Sequence, residues 1–140
     1  MKILLAVDGS KYSKKMLAYL ATHDALLSKD HHYTVLNVQA ALPPRAKAAL
    51  GKETVDAYYA EESGKVLGPV AKFLKRHGIE AQTAAKVGHA GELIAKTAGQ
   101  SDFDLLVMGS HGHGSLMTLV MGSVATQVLA HCTVPVLLVR

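Results

Sequence analysis

The chain has 140 residues, enough for one domain with a full hydrophobic core, so we expect a single domain over residues 1–140. Its one cysteine, Cys132, excludes an intrachain disulfide framework. No apolar run approaches the ~20 residues of a membrane span, and the first run, Ile3–Val7, is too short for a signal peptide. These features predict a cytoplasmic protein without a membrane partner.

The formal net charge is +4, yet the pattern of charge does not favour nucleic acid. Aromatic residues make up only 5% of the chain, whereas grooves for single strands combine clustered basic residues with stacking aromatics. Two basic triplets recur at helical spacing, namely Lys11, Lys14 and Lys15, and Lys72, Lys75 and Arg76. This spacing is typical of solvated helix faces. We therefore expect no nucleic-acid partner.

Five short runs rich in apolar or β-branched residues predict strands. In chain order they are Lys2–Val7, Tyr33–Gln39, Ala81–Val87, Phe103–Met108 and Val134–Val139. The first and fourth runs lack polar alternation, which is typical of strands buried on both faces.

The segments between these strands carry helical periodicity, with one exception. A first helix begins at Ser10 or Ser13, either of which is a suitable N-cap. Three further helices are predicted over Glu53–His77, Glu92–Gln100 and Ser123–His131, the first of them ended by Gly78. The exception is Ala40–Lys52, where Pro43 and Pro44 favour an irregular loop.

Strict alternation of strand and helix predicts an α/β fold with one open, five-stranded parallel sheet and helices on both faces. We expect the strand order 3-2-1-4-5, one of the few that right-handed crossovers allow. In that order the strand sequence reverses between strands one and four. Ligands of such sheets bind at the carboxyl ends of the strands beside this switch point.

A glycine-rich loop follows the fourth strand and leads to a helix N-terminus at Gly122-Ser123. Strand, glycine loop and helix start form a typical phosphate-binding arrangement, because free N–H groups and the helix dipole face the anion. The loop is not a Walker loop, since no Gly-Lys-Ser/Thr occurs. Nor is it a dinucleotide fingerprint beginning at Gly112, whose third glycine would fall at Met117.

The glycine spacing Gly109, two residues, Gly112, nine residues, Gly122-Ser123 resembles the motif of the ATP-binding branch of the universal stress protein family. Further blocks are similar in the same order over essentially the whole chain: ILLAVDGS, VGHAGELI, DLLVMGSHG, GSVATQVLAH and VPVLLV. The resemblance implies a Rossmann-like fold of the adenine nucleotide alpha hydrolase type. It also implies a bound nucleotide, ATP or else ADP or AMP, together with Mg²⁺.

Eleven positions of this chain match the nucleotide contacts of that family. They are Ala6, Val7, Asp8, Val38, Met108, Gly109, His111, Gly112, Gly122, Ser123 and Val124. The resemblance places Ala6 and Val38 against adenine, the Gly109–Gly112 loop on ribose and phosphates, and the Gly122–Val124 turn on the phosphates. It also implies that Val87 and Gly88 line the same pocket.

Two of these residues have a second interpretation. Asp8 either contacts Mg²⁺ bound through the phosphates, or the ribose, or simply begins a helix. Ser123 contacts a phosphate, caps the last helix, or does both.

His113 stands where many family members carry arginine. If it faces the ligand, phosphate affinity should rise as the pH falls. His111 and His113 as a metal pair would be too few ligands for a metal site.

The last strand, Val134–Val139, lies at the sheet edge in the expected order and is apolar and uncharged. Such an edge favours pairing with another chain. Two copies joined antiparallel about a two-fold axis form a closed homodimer, which the family resemblance also implies.

The residues and the resemblance together leave three functions open. The first is a cytoplasmic ATP-binding stress-response regulator or interaction module with an unidentified protein partner and little or no hydrolysis. The second is a slow ATPase or phosphotransferase that uses Asp8 and His111, although the motif supplies no lysine or arginine for the transition-state charge. The third is a nucleotide-free scaffold, against which the intact glycine motif argues.

Overall fold

The structure is a computed structural model that describes residues 1–114 and 120–140. Over these residues the chain alternates strands and helices. In order they are β1 (Lys2–Ala6), α1 (Lys11–Ala21), β2 (His32–Gln39), α2 (Pro44–Leu50), α3 (Lys52–Arg76), β3 (Gln82–Val87), α4 (Ala90–Gln100), β4 (Leu105–Gly109), α5 (Ser123–His131) and β5 (Val136–Val139).

The five strands form one parallel sheet in the order β3-β2-β1-β4-β5, which confirms the predicted fold class and strand order. The central strand β1 pairs with β2 on one side and with β4 on the other. Its last residue, Ala6, lies opposite Leu36 of β2 and Met108 of β4. The ends of these three strands therefore meet at the point where the strand order reverses.

Successive side chains of each strand enter different cores, because neighbouring residues of a strand point to opposite faces. Ile3 and Leu5 pack with buried residues of α1 and α3, whereas Leu4 and Ala6 pack with those of α4 and α5. Helices thus cover both faces of the sheet, as predicted. Within the described chain, no helix is long and apolar enough to cross a membrane.

The predicted loop over Ala40–Lys52 is wrong, because Pro44–Leu50 forms the helix α2. Pro44 occupies the first helical turn, where its missing N–H costs nothing and its fixed φ suits a helix. Gly51, with φ of 82°, then ends α2. Proline just inside the start and glycine just past the end are helix signals, and the sequence interpretation took them for loop signals.

Two helix ends match their sequence signals. Ser10 is the N-cap of α1, and its hydroxyl accepts a hydrogen bond from the backbone N–H of Ser13. At the end of α3, Gly78 has φ of +75° and donates its N–H to Lys75, while Ile79 donates to Leu74. This pair of bonds is a Schellman motif, for which glycine is the favoured residue.

Glycine at position 91 is required where α4 packs against α5. Gly91 is buried, and a Cβ atom there would lie 2.5 Å from the Cβ atom of Gln127. Replacing Gly91 with alanine should therefore push the helices apart and lower the free energy of unfolding by about 1–3 kcal/mol in urea denaturation.

Gly99 is the matched control on the same helix, because a Cβ atom there would meet nothing within 4 Å. Gly99→Ala should leave the free energy of unfolding unchanged or raise it by up to about 1 kcal/mol. If Gly91→Ala is as stable as the wild type, the packing argument is wrong.

Tyr33 joins β2 to the segment that follows α1. Its hydroxyl donates to the carbonyl of Leu26 at 2.6 Å and accepts from the N–H of Ser28 at 2.9 Å. Burial raises the pKa of Tyr33 above its ordinary value of 10.0, and the Ser28 hydrogen bond opposes part of that rise. The neutral phenol is therefore the form that stabilises the fold.

Because the folded pKa exceeds the unfolded one, Tyr33 should contribute its full stabilisation below about pH 10 and lose it as the pH rises through the folded pKa. Tyr33→Phe should lower the free energy of unfolding by about 1 kcal/mol at neutral pH, because two backbone partners are lost. It should also make the alkaline decline shallower in pH-dependent denaturation. An unchanged alkaline slope would contradict this account.

Candidate functional site

A cleft opens at the carboxyl ends of β1, β2 and β4, against the first turns of α4 and α5. Its lining consists of Ala6, Val7, Asp8, Ser13, Leu36, Val38, Ala90, Ile94, Met108, Gly109, His111, Gly112, Val124 and Ala125. Nine of the eleven residues named from the sequence are in this lining. The other two, Gly122 and Ser123, lie just outside it at the start of α5.

One wall of the cleft is apolar and continues the core between the sheet, α4 and α5. The strands contribute Ala6, Leu36 and Met108 to both the cleft and this core. Val38 and Val124 are half-buried beside them. A flat apolar ligand would bury apolar surface against this wall.

Asp8 is the charged residue of the cleft lining, and contacts at the start of α1 hold its side chain. One oxygen of its carboxylate, Oδ1, accepts hydrogen bonds from the Ser10 N–H at 2.8 Å and the Ser13 hydroxyl at 2.9 Å. The Asp8 N–H in turn donates to Ser13 Oγ at 3.0 Å. Asp8 therefore stabilises the turn before α1, whose N-cap is Ser10, and these bonds fix its carboxylate beside the cleft.

Glycine is favoured at Gly109, the last residue of β4, and at Gly112 in the loop that follows, because the chain approaches its neighbours closely at both positions. A Cβ atom at Gly112 would lie 2.8 Å from Oδ2 of Asp8. A Cβ atom at Gly109 would lie 2.7 Å from Cβ of Tyr12. Both glycines thus have a packing reason for being glycine, independent of any ligand.

His111 is the polar ring of the cleft and is only 9% exposed. Its ring lies against that of Tyr12, with centroids 4.8 Å apart, and its Nδ1 forms a 2.8 Å hydrogen bond with the Ser110 hydroxyl. Tyr12 and Ser110 therefore help to hold the His111 ring in the cleft.

No side chain of the described residues caps the start of α5. Gly122 is the N-cap and donates its own N–H to the carbonyl of Ser110 at 2.8 Å. Ser123 is consequently the first helical residue, and its interpretation as the N-cap is wrong. The N–H groups of Ser123 and Val124 belong to the first turn, where a helix offers donors to an anion.

Three residues considered in the sequence lie away from the cleft lining. His113 is exposed, and its Nε2–H donates to the backbone carbonyl of Asp8 at 2.8 Å, which ties the glycine loop to the β1–α1 turn. Val87 and Gly88 are not in the lining either, and Val87 instead borders a second cavity beside Tyr59.

The cleft includes five residues that sequence reasoning missed, namely Ser13, Leu36, Ala90, Ile94 and Ala125. Leu36 was within reach of sequence reasoning, because it lies two residues before Val38 and so shares its face of β2. Ala90 and Ile94 are one helical turn apart, but only the tertiary fold brings α4 to this edge of the sheet.

No group of three or more His, Cys, Asp or Glu side chains among residues 1–114 and 120–140 is arranged to hold a metal ion. The described part of the site therefore offers a metal one carboxylate, that of Asp8. The cleft encloses about 60 Å³, less than the roughly 300 Å³ at the small end of ligand pockets.

Comparison with known proteins gives one consistent relationship. The model of the universal stress protein family matches residues 1–140. The chain is 32% identical over 139 residues to universal stress protein Slr1230 of Synechocystis, covering 99% of this chain and 42% of that relative. The chain thus spans less than half the length of that relative.

Solved structures share the fold. The structure of MJ0577, from Methanocaldococcus jannaschii, has a TM-score of 0.83 at 26% identity, covering 99% of this chain and 94% of that one. An Arabidopsis thaliana family member solved with AMP bound has a TM-score of 0.65 at 17% identity, covering 99% and 90%. Since the family model matches from the first residue to the last, this chain belongs to the universal stress protein family.

Proposed function

We propose that this protein is a cytoplasmic ATP-binding regulator or interaction module of the stress response, with little or no hydrolysis. One observation supports it above the others. Nine residues that match the family's nucleotide contacts, drawn from separate parts of the sequence, line one cleft at the switch point of the sheet. Doubly wound sheets bind their ligands at this place.

The apolar wall of the cleft suits the adenine base of the nucleotide. Adenine would lie against Ala6, Val38 and Met108, with Val124 on the helix side. Because the side chain of Ala6 is a single methyl group, it leaves room at the centre of the wall. A relative solved with AMP bound supports an adenine nucleotide, and we propose that the nucleotide here is ATP.

The phosphates would lie between the glycine loop and the start of α5. No described side chain caps the first-turn N–H groups of Ser123 and Val124, and the helix dipole favours negative charge there. Gly122 would contribute through its lack of a side chain rather than its N–H, because Ser110 already accepts that N–H.

Nucleotide entry requires the cleft to widen. The loop at His111 and Gly112 would move away from Asp8, where Gly112 now packs against the carboxylate. The bond from His113 to the Asp8 carbonyl holds the loop in the narrow form. Nucleotide binding would thus change the loop conformation, which is the kind of change that a partner protein detects.

The family resemblance implies Mg²⁺ with the phosphates, and the described residues fit that ion in a limited way. Oδ1 of Asp8 already accepts two hydrogen bonds, so Oδ2 is the oxygen suited to the ion. Mg²⁺ is often held by one or two carboxylates with phosphate oxygens and waters, so a single carboxylate suffices. When bound, the ion would neutralise phosphate charge.

The proposal includes little catalysis because the described lining of the cleft contains no lysine or arginine. Phosphoryl transfer needs cationic groups that stabilise the transition-state charge. Asp8 and His111 are the residues that a slow ATPase would use, and this remains the second candidate function. A nucleotide-free scaffold is the third.

A bulky side chain near the end of β2 should block binding of the adenine base. Val38→Phe should weaken ATP binding at least about tenfold, because its ring would occupy the apolar wall. The measurement is a titration of ATP with Mg²⁺ followed by calorimetry, alongside mass spectrometry of any nucleotide that co-purifies.

Val87→Phe is the matched control, because Val87 ends the neighbouring strand β3 but lies outside the cleft lining. It should leave nucleotide affinity within about twofold of the wild type. If the wild type and Val87→Phe both release no nucleotide, and ATP with Mg²⁺ does not bind to the wild type, the nucleotide-free scaffold replaces this proposal.

A homodimer through Val134–Val139 is part of the same proposal. The strand β5 covers Val136–Val139 and ends the sheet, as predicted for an edge strand. Pro135 and Val139 direct their carbonyl oxygens at β4. The backbone groups of Val136 and Leu138 therefore face the open edge, where a second copy would pair with them.

Removing an outward N–H should break that pairing. We expect the wild type to sediment at twice the chain mass of 14.8 kDa, and Val136→Pro to sediment as a monomer. Thr133→Pro lies before the strand and after an extended residue, so it should remain dimeric. A wild type that sediments as a monomer at micromolar concentration would contradict the proposed dimer.

A further inference from the structure

A surface groove separates α1 from α3 on the face of the sheet that these two helices cover. It encloses about 550 Å³, within the range of ligand and peptide sites. Its floor consists of Leu17, Val66, Pro69, Val70 and Phe73. Leu17, Val66 and Phe73 are only half-buried, so apolar surface at the bottom of the groove remains open to a ligand.

The rim of the groove is basic, with Lys14 on α1 and Lys65 and Arg76 on α3. All three side chains are exposed. α1 contains no acidic residue, and α3 contains none from Ser63 to its end at Arg76. The packing of α1 beside α3 therefore brings together Lys14 and Arg76, one residue from each of the two basic triplets that looked like separate solvated faces in the sequence.

Neutralisation of this rim is incomplete. Lys65 pairs with Glu62 at 2.9 Å and Glu61 at 3.9 Å. Lys14 and Arg76 make no salt bridge with the residues that the structure describes. An apolar floor with excess positive charge along its edges thus faces solvent.

We propose that this groove binds an acidic amphipathic helix of a partner protein. The neighbouring helix α1 has 11 residues, or roughly 16 Å, so the occupant would span about three turns. Its apolar side chains at i, i+3 or i+4, and i+7 would fill the floor, and its acidic residues would face the rim. Nucleic acid fits less well, because the floor is mostly aliphatic and Phe73 is its one aromatic ring among the described residues.

The groove also reaches the nucleotide cleft. Gly9, at one end of the groove, follows Asp8 of the cleft, and a Cβ atom at Gly9 would lie 3.2 Å from Val66 and 3.9 Å from the His113 ring. A docked helix would therefore lie beside the loop that closes the cleft. Docking itself requires no nucleotide, so it is tested separately from the proposed function.

The probe is a fluorescein-labelled peptide of about 15 residues, with leucine at the three apolar positions and glutamate and alanine elsewhere. Fluorescence anisotropy should show saturable binding to the full chain that weakens as salt is raised. A peptide with lysine in place of each glutamate should bind at least about tenfold more weakly.

Charge variants test the rim. Lys14→Glu combined with Arg76→Glu should weaken binding of the acidic peptide at least about tenfold. The control combines Lys47→Glu with Lys96→Glu, two exposed lysines on other surfaces, and makes the same change in net charge. The control pair should weaken binding less than about twofold, because at about 0.15 M salt a charge is screened beyond roughly 8 Å and so does not affect a peptide bound elsewhere.

A neutral variant tests the floor. Ala18 is exposed and lines the groove, so Ala18→Trp should fill it and reduce binding at least about tenfold without changing the charge. Ala57→Trp, at an exposed position earlier on α3, should have no effect. Circular dichroism confirms that each variant is folded.

Three results would overturn the proposal. They are no binding of the acidic peptide up to about millimolar concentration, equal loss in the control charge pair, and unchanged binding in Ala18→Trp. A single-stranded DNA oligonucleotide that binds more tightly than the peptide, and loses binding in Ala18→Trp, would assign the groove to nucleic acid instead.

Discussion

The reversal of strand order between β1 and β4 is the constraint on which the rest of the site depends. The chain leaves β1 for α1 on one face of the sheet and leaves β4 for α5 on the other. Because the two connections part in opposite directions, a crevice is left beside the ends of β1 and β4. The cleft above Ala6 and Met108 is therefore a consequence of topology, and its apolar wall is the upper end of a core that the fold needs in any case.

The close contacts around Asp8 connect folding to the site. The hydrogen bonds from Ser10 and Ser13 to its carboxylate begin α1, and the same carboxylate packs against Gly112. Gly109 packs against Tyr12 in the same way. Glycines in such a loop are usually explained by the approach of phosphate. In this protein, contacts with Asp8 and Tyr12 also favour glycine at these positions. A glycine motif alone is therefore weak evidence for a bound ligand.

The two faces of the sheet have different surface chemistry. α4 and α5 leave an apolar cleft at their first turns, whereas α1 and α3 leave an apolar groove with a basic rim. The β1–α1 turn at Asp8-Gly9 belongs to both places. A single short turn therefore adjoins the proposed nucleotide site and the proposed docking surface. A conformational change of this turn on nucleotide binding would alter the docking surface directly.

The sequence by itself determined the fold class and the strand order, because the alternation of buried strands with helices is a signal local to the chain. Nine residues of the cleft lining followed from the resemblance of the sequence to a family rather than from a local pattern. It misjudged Pro43-Pro44, since proline in a first helical turn and proline in a loop look alike without the register of the helix. Only the tertiary structure decided which distant segments meet. Ala90 and Ile94 reach the cleft because α4 packs beside α5, and Lys14 and Arg76 share a groove because α1 packs beside α3. Such neighbours arise from the packing of helices on a sheet face, and no local pattern of residues records that packing.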